Sequence, residues 1–236
     1  MDEAPAARSP ATKAIGMTTA LTDFIRDEFA RFIASPRYPC IGARSSLRNG
    51  GCRINVYGPM DDADTTRELS RDLADFAVAE RSRRFVAFAA VFAEPAPESE
   101  QDYEGRLWRQ LSALAVADRD SKWDDARSPD PENPQFAFCF RGTPFFLIGM
   151  HPESSRMARQ FAWPAIVFNP HAQFEQLRAE QRFESMRQTI RARDVALQGS
   201  VNPNLADAGE RSEARQYSGR AVDDPWTCPF HRPASP

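Results

Sequence analysis

Apolar residues along the chain recur at two spacings, one typical of helices and the other of strands. The helical spacing, in which side chains three and four residues apart share a face, predicts helices over residues 18–35, 61–76, 103–114 and 170–195. A pair of threonines would cap the first of these helices, and a Ser-Pro pair would end it.

Alternating and continuous apolar runs predict five strands, which cover residues 52–57, 84–92, 135–140, 144–150 and 165–168. The run 84–92 is apolar on both faces, which is typical of a central strand. The turn signal at 49–51 predicts a hairpin between strand 52–57 and a short extended run that ends the loop 38–46. No βαβ repeat is visible. The sequence therefore predicts an α+β fold, with a mixed or mostly antiparallel sheet flanked by helices.

Composition places the chain among folded globular proteins. Its 236 residues are 42% hydrophobic and include 17 Phe, so one domain can bury a substantial core. Residues 1–16 are rich in Ala, Pro and Ser and are predicted to form a disordered tail. Residues 17–236 are predicted to form a single domain.

Charge and hydropathy bear on whether the protein binds nucleic acid or a membrane. The net charge of −3 comes from interspersed acids and bases, which does not indicate a nucleic-acid partner. No apolar run approaches the ~18 residues of a spanning helix, and no signal peptide is visible. We therefore expect a cytoplasmic protein without membrane association, whose four cysteines are reduced. A homodimer is compatible with these observations.

Two of the three histidines directly follow apolar strands. His151 and His171 would each lie near a strand-to-helix turn, a common place for ligand sites at the ends of sheets. The alternative is that both are turn or cap residues bonded to the backbone. Templates for structural zinc and for zinc proteases are absent from the sequence.

A noncovalent haem site requires fewer residues in a fixed spacing than those zinc sites do. It needs one axial His or Cys, an apolar slot, and cations for its propionates. The chain offers candidate ligands and cations for such a site: His151, His171, Cys40 or Cys228, and the pair Arg156 and Arg159 one helical turn apart.

The segment near the C-terminus carries a second group of candidates. Arg215, Tyr217 and Arg220 could clamp a carboxylate, and Glu213 could hold a cation. The alternative is a solvated loop stabilised by local charges.

Two cysteines stand next to prolines near opposite ends of the chain, in Tyr38-Pro39-Cys40 and Cys228-Pro229-Phe230. Proline restricts the backbone on both sides of itself, which suits a sulfur presented at a defined angle. One hypothesis is therefore a thiol-based redox switch or covalent catalyst in which Cys40 and Cys228 meet. A contact between them would also pin the C-terminal segment over the site.

Several motifs together resemble the YqcI/YcgG family, also called FPC/CPF motif-containing proteins. They are the two cysteine–proline motifs, Gly149-Met150-His151-Pro152, Ser154-Ser155-Arg156, Phe168-Asn169-Pro170-His171 and Gln216-Tyr217-Ser218-Gly219-Arg220. The resemblance covers roughly residues 20–232, with the motifs in order. Tyr38 departs from the phenylalanine of the family motif but keeps the aromatic ring.

The resemblance implies a function that composition does not show. Some members of the family resemble haem-dependent N-hydroxylases of natural-product pathways, which act on guanidino or amino nitrogens of arginine-like amino acids. For this chain, the resemblance implies a b-type haem, dioxygen, a small-molecule substrate and an external electron donor. A noncatalytic haem carrier or gas sensor would share the same site without substrate turnover.

For such a haem site, the placement of the histidines at strand exits and the clustering of arginines suggest residue roles, which are hypotheses. The order of preference for the axial ligand is His171, then His151, then Cys40, and the histidine left over would serve on the distal side. The propionates are assigned to Arg156 and Arg159. Substrate or haem-edge contacts are assigned to the remaining candidates, which are Arg215, Tyr217 and Arg220.

Overall fold

Five strands form one sheet, in the order β1-β2-β5-β4-β3. The structure, a computed structural model, describes residues 18–79, 85–205 and 210–232. In chain order the strands are β1 (Cys52–Tyr57), β2 (Ala87–Phe92), β3 (Phe138–Phe140), β4 (Thr143–Met150) and β5 (Ala165–Pro170). The β1–β2 pairing is parallel and the other three are antiparallel. This mixed, mostly antiparallel sheet confirms the predicted α+β class.

Seven helices are formed by the described residues. They are α1 (Thr19–Ala34), α2 (Ile41–Arg48), α3 (Ala63–Ala79), α4 (Glu100–Ala117), α5 (His171–Ala179), α6 (Phe183–Gln198) and α7 (Ala214–Tyr217). The Thr18 side chain accepts a hydrogen bond from the backbone N–H of Leu21 and so caps α1. The long helix predicted over 170–195 is interrupted at Gln181, whose φ of 57° ends α5. Within the described part of the chain, no helix has both the length and the apolar composition that crossing a bilayer requires.

The sheet separates two apolar clusters. Alternate residues of β2 point to opposite faces, and every residue of this strand is buried, as the continuous apolar run predicts. On one face the strands pack against α3, α4 and the C-terminal segment, and on the other against α1 and the region around Tyr38. The tail predicted over 1–16, and Arg84 at the start of the predicted central strand, lie outside the described residues.

The hairpin prediction is wrong. Residues 41–48 of the predicted loop and extended run form α2, and the following strand β1 pairs in parallel with β2. The Asn-Gly-Gly signal ends a helix here, with Gly50 at a φ of 63°. A helix end and a hairpin turn both need a residue in the left-handed region, so this signal alone does not distinguish them.

The C-terminal segment is part of the core. Helix α7 contacts β4, and Phe230 packs among the aromatic rings on the α4 face. The side chain of Tyr217 is fully buried there, and its hydroxyl accepts a hydrogen bond from the backbone N–H of Phe138. The predicted loop-like region beyond Gly199 is therefore fixed to the sheet over much of its described length.

Candidate functional site

One strip of the sheet is covered incompletely. Ile148 of β4 and Val167 of β5 are partly exposed, although neighbouring residues such as Leu147 are buried. β5 lies between β2 and β4, whereas β4 pairs with β3 only as far as Phe145. Asn169 continues the strip along β5 and is also partly exposed. We call Ile148, Val167 and Asn169 the sheet strip. A partly exposed apolar surface can contact an apolar ligand.

Helix α6 lies on the same side of the sheet as the strip. Its Arg193 donates hydrogen bonds to the backbone carbonyls of Pro36 and Tyr38, and Tyr38 belongs to the cluster on that face. The principal contacts of α6 are with α5 and with the 3-10 turn Met157–Arg159. None of its residues is fully buried. These contacts place α6 on the side of the sheet that carries the strip.

His171 begins α5 and is held by a carboxylate. Its Nε2 lies 3.1 Å from Oε1 of Glu213, and both side chains are largely buried. The hydroxyl of Tyr217 donates to the same carboxylate oxygen. Burial and the Glu213 charge raise the pKa of Tyr217 well above its usual value, so its phenol stays protonated. The three side chains form one hydrogen-bonded row.

His151 has a different environment. It is fully buried, and its ring stacks on that of Tyr103 at a centroid distance of 4.2 Å. Among the described residues, neither ring nitrogen has a hydrogen-bond partner. Burial is the main cause that lowers the pKa of His151 from 6.5 to about 4. The imidazole is therefore neutral at physiological pH.

The two histidines lie at opposite ends of the sheet. In the antiparallel pairing of β4 with β5, Met150 pairs with Ala165 and Phe145 pairs with Pro170. The histidines follow the residues Met150 and Pro170, five rungs apart, which corresponds to roughly 17 Å along the strands. Because of this separation, His151 and His171 could not serve one iron together, with either of them as axial ligand and the other on the distal side.

The two arginines assigned to propionates differ in their partners. Arg156 is paired with Asp194 of α6 at 2.5 Å and donates to the hydroxyl of Ser200. Arg159 is 8% exposed, and its Nη1 contacts only the backbone carbonyls of Tyr217 at 3.0 Å and Gly149 at 3.4 Å. No carboxylate among the described residues forms a salt bridge with Arg159, although buried cations are normally paired.

The backbone makes room for Arg159. Gly219 has a φ of 89°, and a Cβ there would lie 2.7 Å from Cδ of Arg159. The glycine of the Tyr-Ser-Gly-Arg motif thus permits the guanidinium to lie against α7. Burial lowers the pKa of Arg159, and the nearby phenols of Tyr38 and Tyr103 and the carboxylate of Asp194 act in the opposite direction.

The three residues assigned to a substrate clamp are engaged inside the protein. Arg220 donates two hydrogen bonds to Glu104 of α4, at 2.6 and 2.8 Å. Arg215 lies over the ring of Trp226 and donates to the carbonyl of that residue. Together with Tyr217, they hold the C-terminal segment on the α4 face. Their role toward a substrate stays a prediction.

Sequence spacing does not reveal the partners of these residues. The pairs His171–Glu213 and Arg220–Glu104 are separated by 42 and 116 residues. Tyr103, the stacking partner of His151, reads in the sequence only as one of the apolar positions of α4. No local pattern distinguishes Glu104 or Glu213 from the many other acidic residues of the chain.

The predicted contact between Cys40 and Cys228 is wrong. Cys40 packs with the cluster on the α1 face and Cys228 with the cluster on the α4 face, so the sheet lies between them. All four cysteines are free thiols. Cys40 caps α2 by accepting a hydrogen bond from the backbone N–H of Ala43 at 3.4 Å. Burial raises the pKa of Cys40 and raises that of Cys228 to about 12, which disfavours a thiolate nucleophile at either position.

A surface cleft of about 600 Å³ lies apart from these residues. It surrounds Trp123 on the loop between α4 and β3, with Arg232 over the indole ring. Acidic and basic side chains are mixed along its walls. The candidate site does not include it.

Three features of the protein resemble parts of a haem site, although the sheet strip packs with the cluster on the α1 face and Tyr217, linked to His171 through Glu213, packs with the cluster on the α4 face. Two of the three strip residues, Ile148 and Val167, are apolar, His171 has a carboxylate partner at its Nε2, and Arg159 is a buried cation without a salt-bridge partner among the described residues. Arg156 fits less well, because Asp194 already neutralises it. Both ring nitrogens of His151 lack hydrogen-bond partners among the described residues, but the ring is fully buried against Tyr103.

Comparisons with known proteins agree with the motifs. The chain is 28% identical over 205 residues to the uncharacterized protein YqcI of Bacillus subtilis (strain 168), which covers 82% of this chain and 80% of that protein. It is also 28% identical over 204 residues to the uncharacterized protein YcgG of the same strain, with the same coverage. No solved structure matches. The profile of the YqcI/YcgG family matches residues 29–231, and the chain belongs to this family.

Proposed function

We propose that the protein is a haem-dependent N-oxygenase that hydroxylates a guanidino or amino nitrogen of an arginine-like small molecule. The observation that carries the proposal is Arg159, a buried guanidinium without a carboxylate partner among the described residues. Arg159 contacts the backbone carbonyl of Gly149, and Gly149 follows Ile148 of the sheet strip in the sequence. An apolar molecule that bears a carboxylate would satisfy both features, and a haem with its propionates is such a molecule.

The geometry supports one of the candidate ligands of the iron over the others. His171 is the stronger candidate because Glu213 fixes its ring, as outer-shell carboxylates do for metal-binding histidines. When bound, the haem would supply the activation of dioxygen, with electrons from an external donor. Cys40 is weaker, because its thiol caps α2 and its pKa is raised.

The protein's own residues would hold the ligand and limit the access of water. The sheet strip would contact its apolar surface, and Arg159 would pair with its carboxylate. Helix α6 would cover the outer side, held to the rest of the chain by the Arg156–Asp194 pair. The Tyr217 phenol, kept protonated by burial, would remain a hydrogen-bond donor to Glu213 beside His171.

Titration of the purified protein with hemin, followed by its absorption spectrum, tests the cofactor. We expect a Soret band that is lost in His171→Ala and kept in the matched control His231→Ala, near the C-terminus. A wild-type protein that gives no Soret band with hemin would refute the proposal. A band that persists in His171→Ala and disappears in His151→Ala would move the ligand to the other end of the sheet.

Arg159 can be tested separately from the ligand. Arg159→Gln should weaken hemin binding at least about tenfold, equivalent to about 1.4 kcal/mol, because a buried charge pair is lost. Binding of hemin dimethyl ester, which lacks the carboxylates, should be weak in both proteins and change little on substitution. Equal losses for hemin and its ester would show that Arg159 supports the fold and not the carboxylate.

Activity requires a second measurement. The loaded protein, with dioxygen and a reductant, should add one oxygen atom to a nitrogen in a panel of guanidino and amino compounds, detected by mass spectrometry. A loaded protein that oxidises none of them would favour the noncatalytic haem carrier or gas sensor.

A further inference from the structure

Tyr38 differs from the other tyrosines of the chain in its hydroxyl group. All four tyrosines lie in the described residues, and the hydroxyls of Tyr57, Tyr103 and Tyr217 each donate a hydrogen bond to an oxygen atom within the protein. For the hydroxyl of Tyr38 no hydrogen-bond partner is found among the described residues, although Tyr38 is only 9% exposed. A nearly buried donor without an acceptor is costly, and an acceptor supplied from outside the chain would remove that cost.

The ring of Tyr38 is fixed on the face of the sheet that carries the sheet strip. It belongs to the apolar cluster that also includes Ile148 and Val167 of the strip. Phe32 packs against it edge to face at a centroid distance of 5.6 Å. The backbone carbonyl of Tyr38 accepts a hydrogen bond at 3.0 Å from Arg193 of α6. Packing and the backbone therefore hold the phenol in place, and its hydroxyl takes no part in holding it.

Arg159 is a close neighbour of this phenol. The two side chains lie near enough for their charges to interact, so each affects the pKa of the other. Burial raises the pKa of Tyr38 by more than Arg159 lowers it, and the phenol therefore stays protonated and can donate. The Nη1 of Arg159 contacts only backbone carbonyls.

The carboxylate of Asp194 interacts with the charges of both groups but is bonded elsewhere. Its Oδ2 lies 2.5 Å from Nη2 of Arg156. In the described part of the chain, no carboxylate is bonded to Tyr38 or to Arg159. The phenol and the guanidinium thus both need an acceptor that carries negative charge. A carboxylate can accept from both at once, because it has two oxygens.

We propose that Tyr38 is a second binding residue for the carboxylate of the ligand, to which its hydroxyl donates a hydrogen bond beside the guanidinium of Arg159. The identity of the ligand as haem rests on the proposed function. The two donors themselves would bind an apolar molecule with a single carboxylate.

The test compares the binding of hemin by wild type, Tyr38→Phe and a matched control, Tyr57→Phe. Tyr38→Phe removes only the hydroxyl and keeps a ring that can pack against Phe32. We expect the affinity for hemin to fall about tenfold in Tyr38→Phe, because a hydrogen bond to a charged acceptor is lost. Tyr57→Phe removes a hydroxyl that is bonded to Asp72 on the other side of the sheet, and it should leave the affinity unchanged.

Thermal unfolding of the ligand-free proteins should rank the same variants in the reverse order. Tyr38→Phe should keep the melting temperature of wild type, because no hydrogen bond within the protein is lost. Tyr57→Phe should lower it, because Asp72 loses a donor. Equal decreases in the two variants would show that the Tyr38 hydroxyl has a partner in the fold, and this result would overturn the proposal.

A double-mutant cycle with Arg159→Gln shows whether the two donors bind one carboxylate. In that case the loss of hemin affinity in the double variant should be smaller than the product of the two single losses, since each donor helps to position the carboxylate for the other. A loss equal to that product would show that the two residues act separately and would overturn the shared site.

Binding of [1-¹³C]decanoate, followed by the ¹³C chemical shift of its carboxylate, separates this inference from the cofactor proposal. Decanoate that binds wild type, binds Tyr38→Phe about tenfold more weakly, and is accompanied by no Soret band with hemin would retain the role of Tyr38 and refute the haem. Equal affinities of wild type and Tyr38→Phe for hemin would overturn the role of Tyr38 and retain the haem. A wild-type protein that binds neither molecule would refute both.

Discussion

Protonation of His151 should make the fold sensitive to mild acid. The imidazole is fully buried, and no hydrogen-bond partner for either ring nitrogen is found among the described residues, so adding a proton places an unpaired charge inside the protein. Its pKa is 6.5 when exposed and about 4 in the fold. Because the folded pKa is lowered, the unfolded chain binds the proton more readily. The stabilising effect of the neutral ring is complete above pH 6.5 and is lost as the pH falls toward 4.

The size of the effect follows from those two values. At pH 4.5 the difference in proton binding lowers the free energy of unfolding by about 2.5 kcal/mol relative to pH 7.5. Urea unfolding at both values of pH, for wild type and His151→Phe, measures it. The phenyl ring keeps an aromatic partner for Tyr103 but does not titrate. Between pH 7.5 and pH 4.5, the free energy of unfolding should fall by about 2.5 kcal/mol more in wild type than in His151→Phe.

Other groups titrate in this range and act on both proteins, so only the difference between them reports on His151. A parallel loss of stability in wild type and His151→Phe, within about 0.5 kcal/mol, would refute the reasoning. The exposed residue His231 offers a control, because His231→Phe should leave the acid sensitivity unchanged.

Three further outcomes are expected. Gly149→Ala should lower the free energy of unfolding by about 1–3 kcal/mol, because the new Cβ would lie 2.7 Å from a buried tyrosine hydroxyl and from a backbone carbonyl. An unchanged melting temperature would contradict this. Glu104→Ala should cost about 3 kcal/mol in urea unfolding, since it removes the partner of the half-buried Arg220, and a loss below about 1 kcal/mol would show that the pair is dispensable. Nonreducing mass spectrometry after mild oxidation should detect no Cys40–Cys228 link, because the sheet separates the two thiols.

Much of the fold could be predicted from local pattern. The apolar periodicity of α1, α3 and α4 identifies the helices, and the continuous apolar run at β2 identifies a strand buried on both faces. The prediction failed at residues 41–48, where the turn signal Asn-Gly-Gly closes α2. It also joined α5 and α6 into one helix, because nothing in the composition near Gln181 marks the break.

The candidate site could be predicted only in part. Sequence placed His151 and His171 at the ends of apolar strands, and the structure has them there. The sequence did not show that the two histidines lie at opposite ends of the sheet, because this depends on the antiparallel pairing of β4 with β5. It also treated Arg156 and Arg159 as equivalent, although only the first has an acidic partner among the described residues.

The sequence by itself determined most of the helices and strands, the family and the residue types available for chemistry, because periodicity and motifs depend on residues that are neighbours in the chain. The tertiary structure decided which of those residues meet. The antiparallel pairing of β4 with β5 separates the histidines, and the return of the C-terminal segment brings Glu213 to His171. Such contacts join positions far apart in sequence, and their partners are selected by burial and by the need to satisfy buried polar groups, which no local pattern encodes.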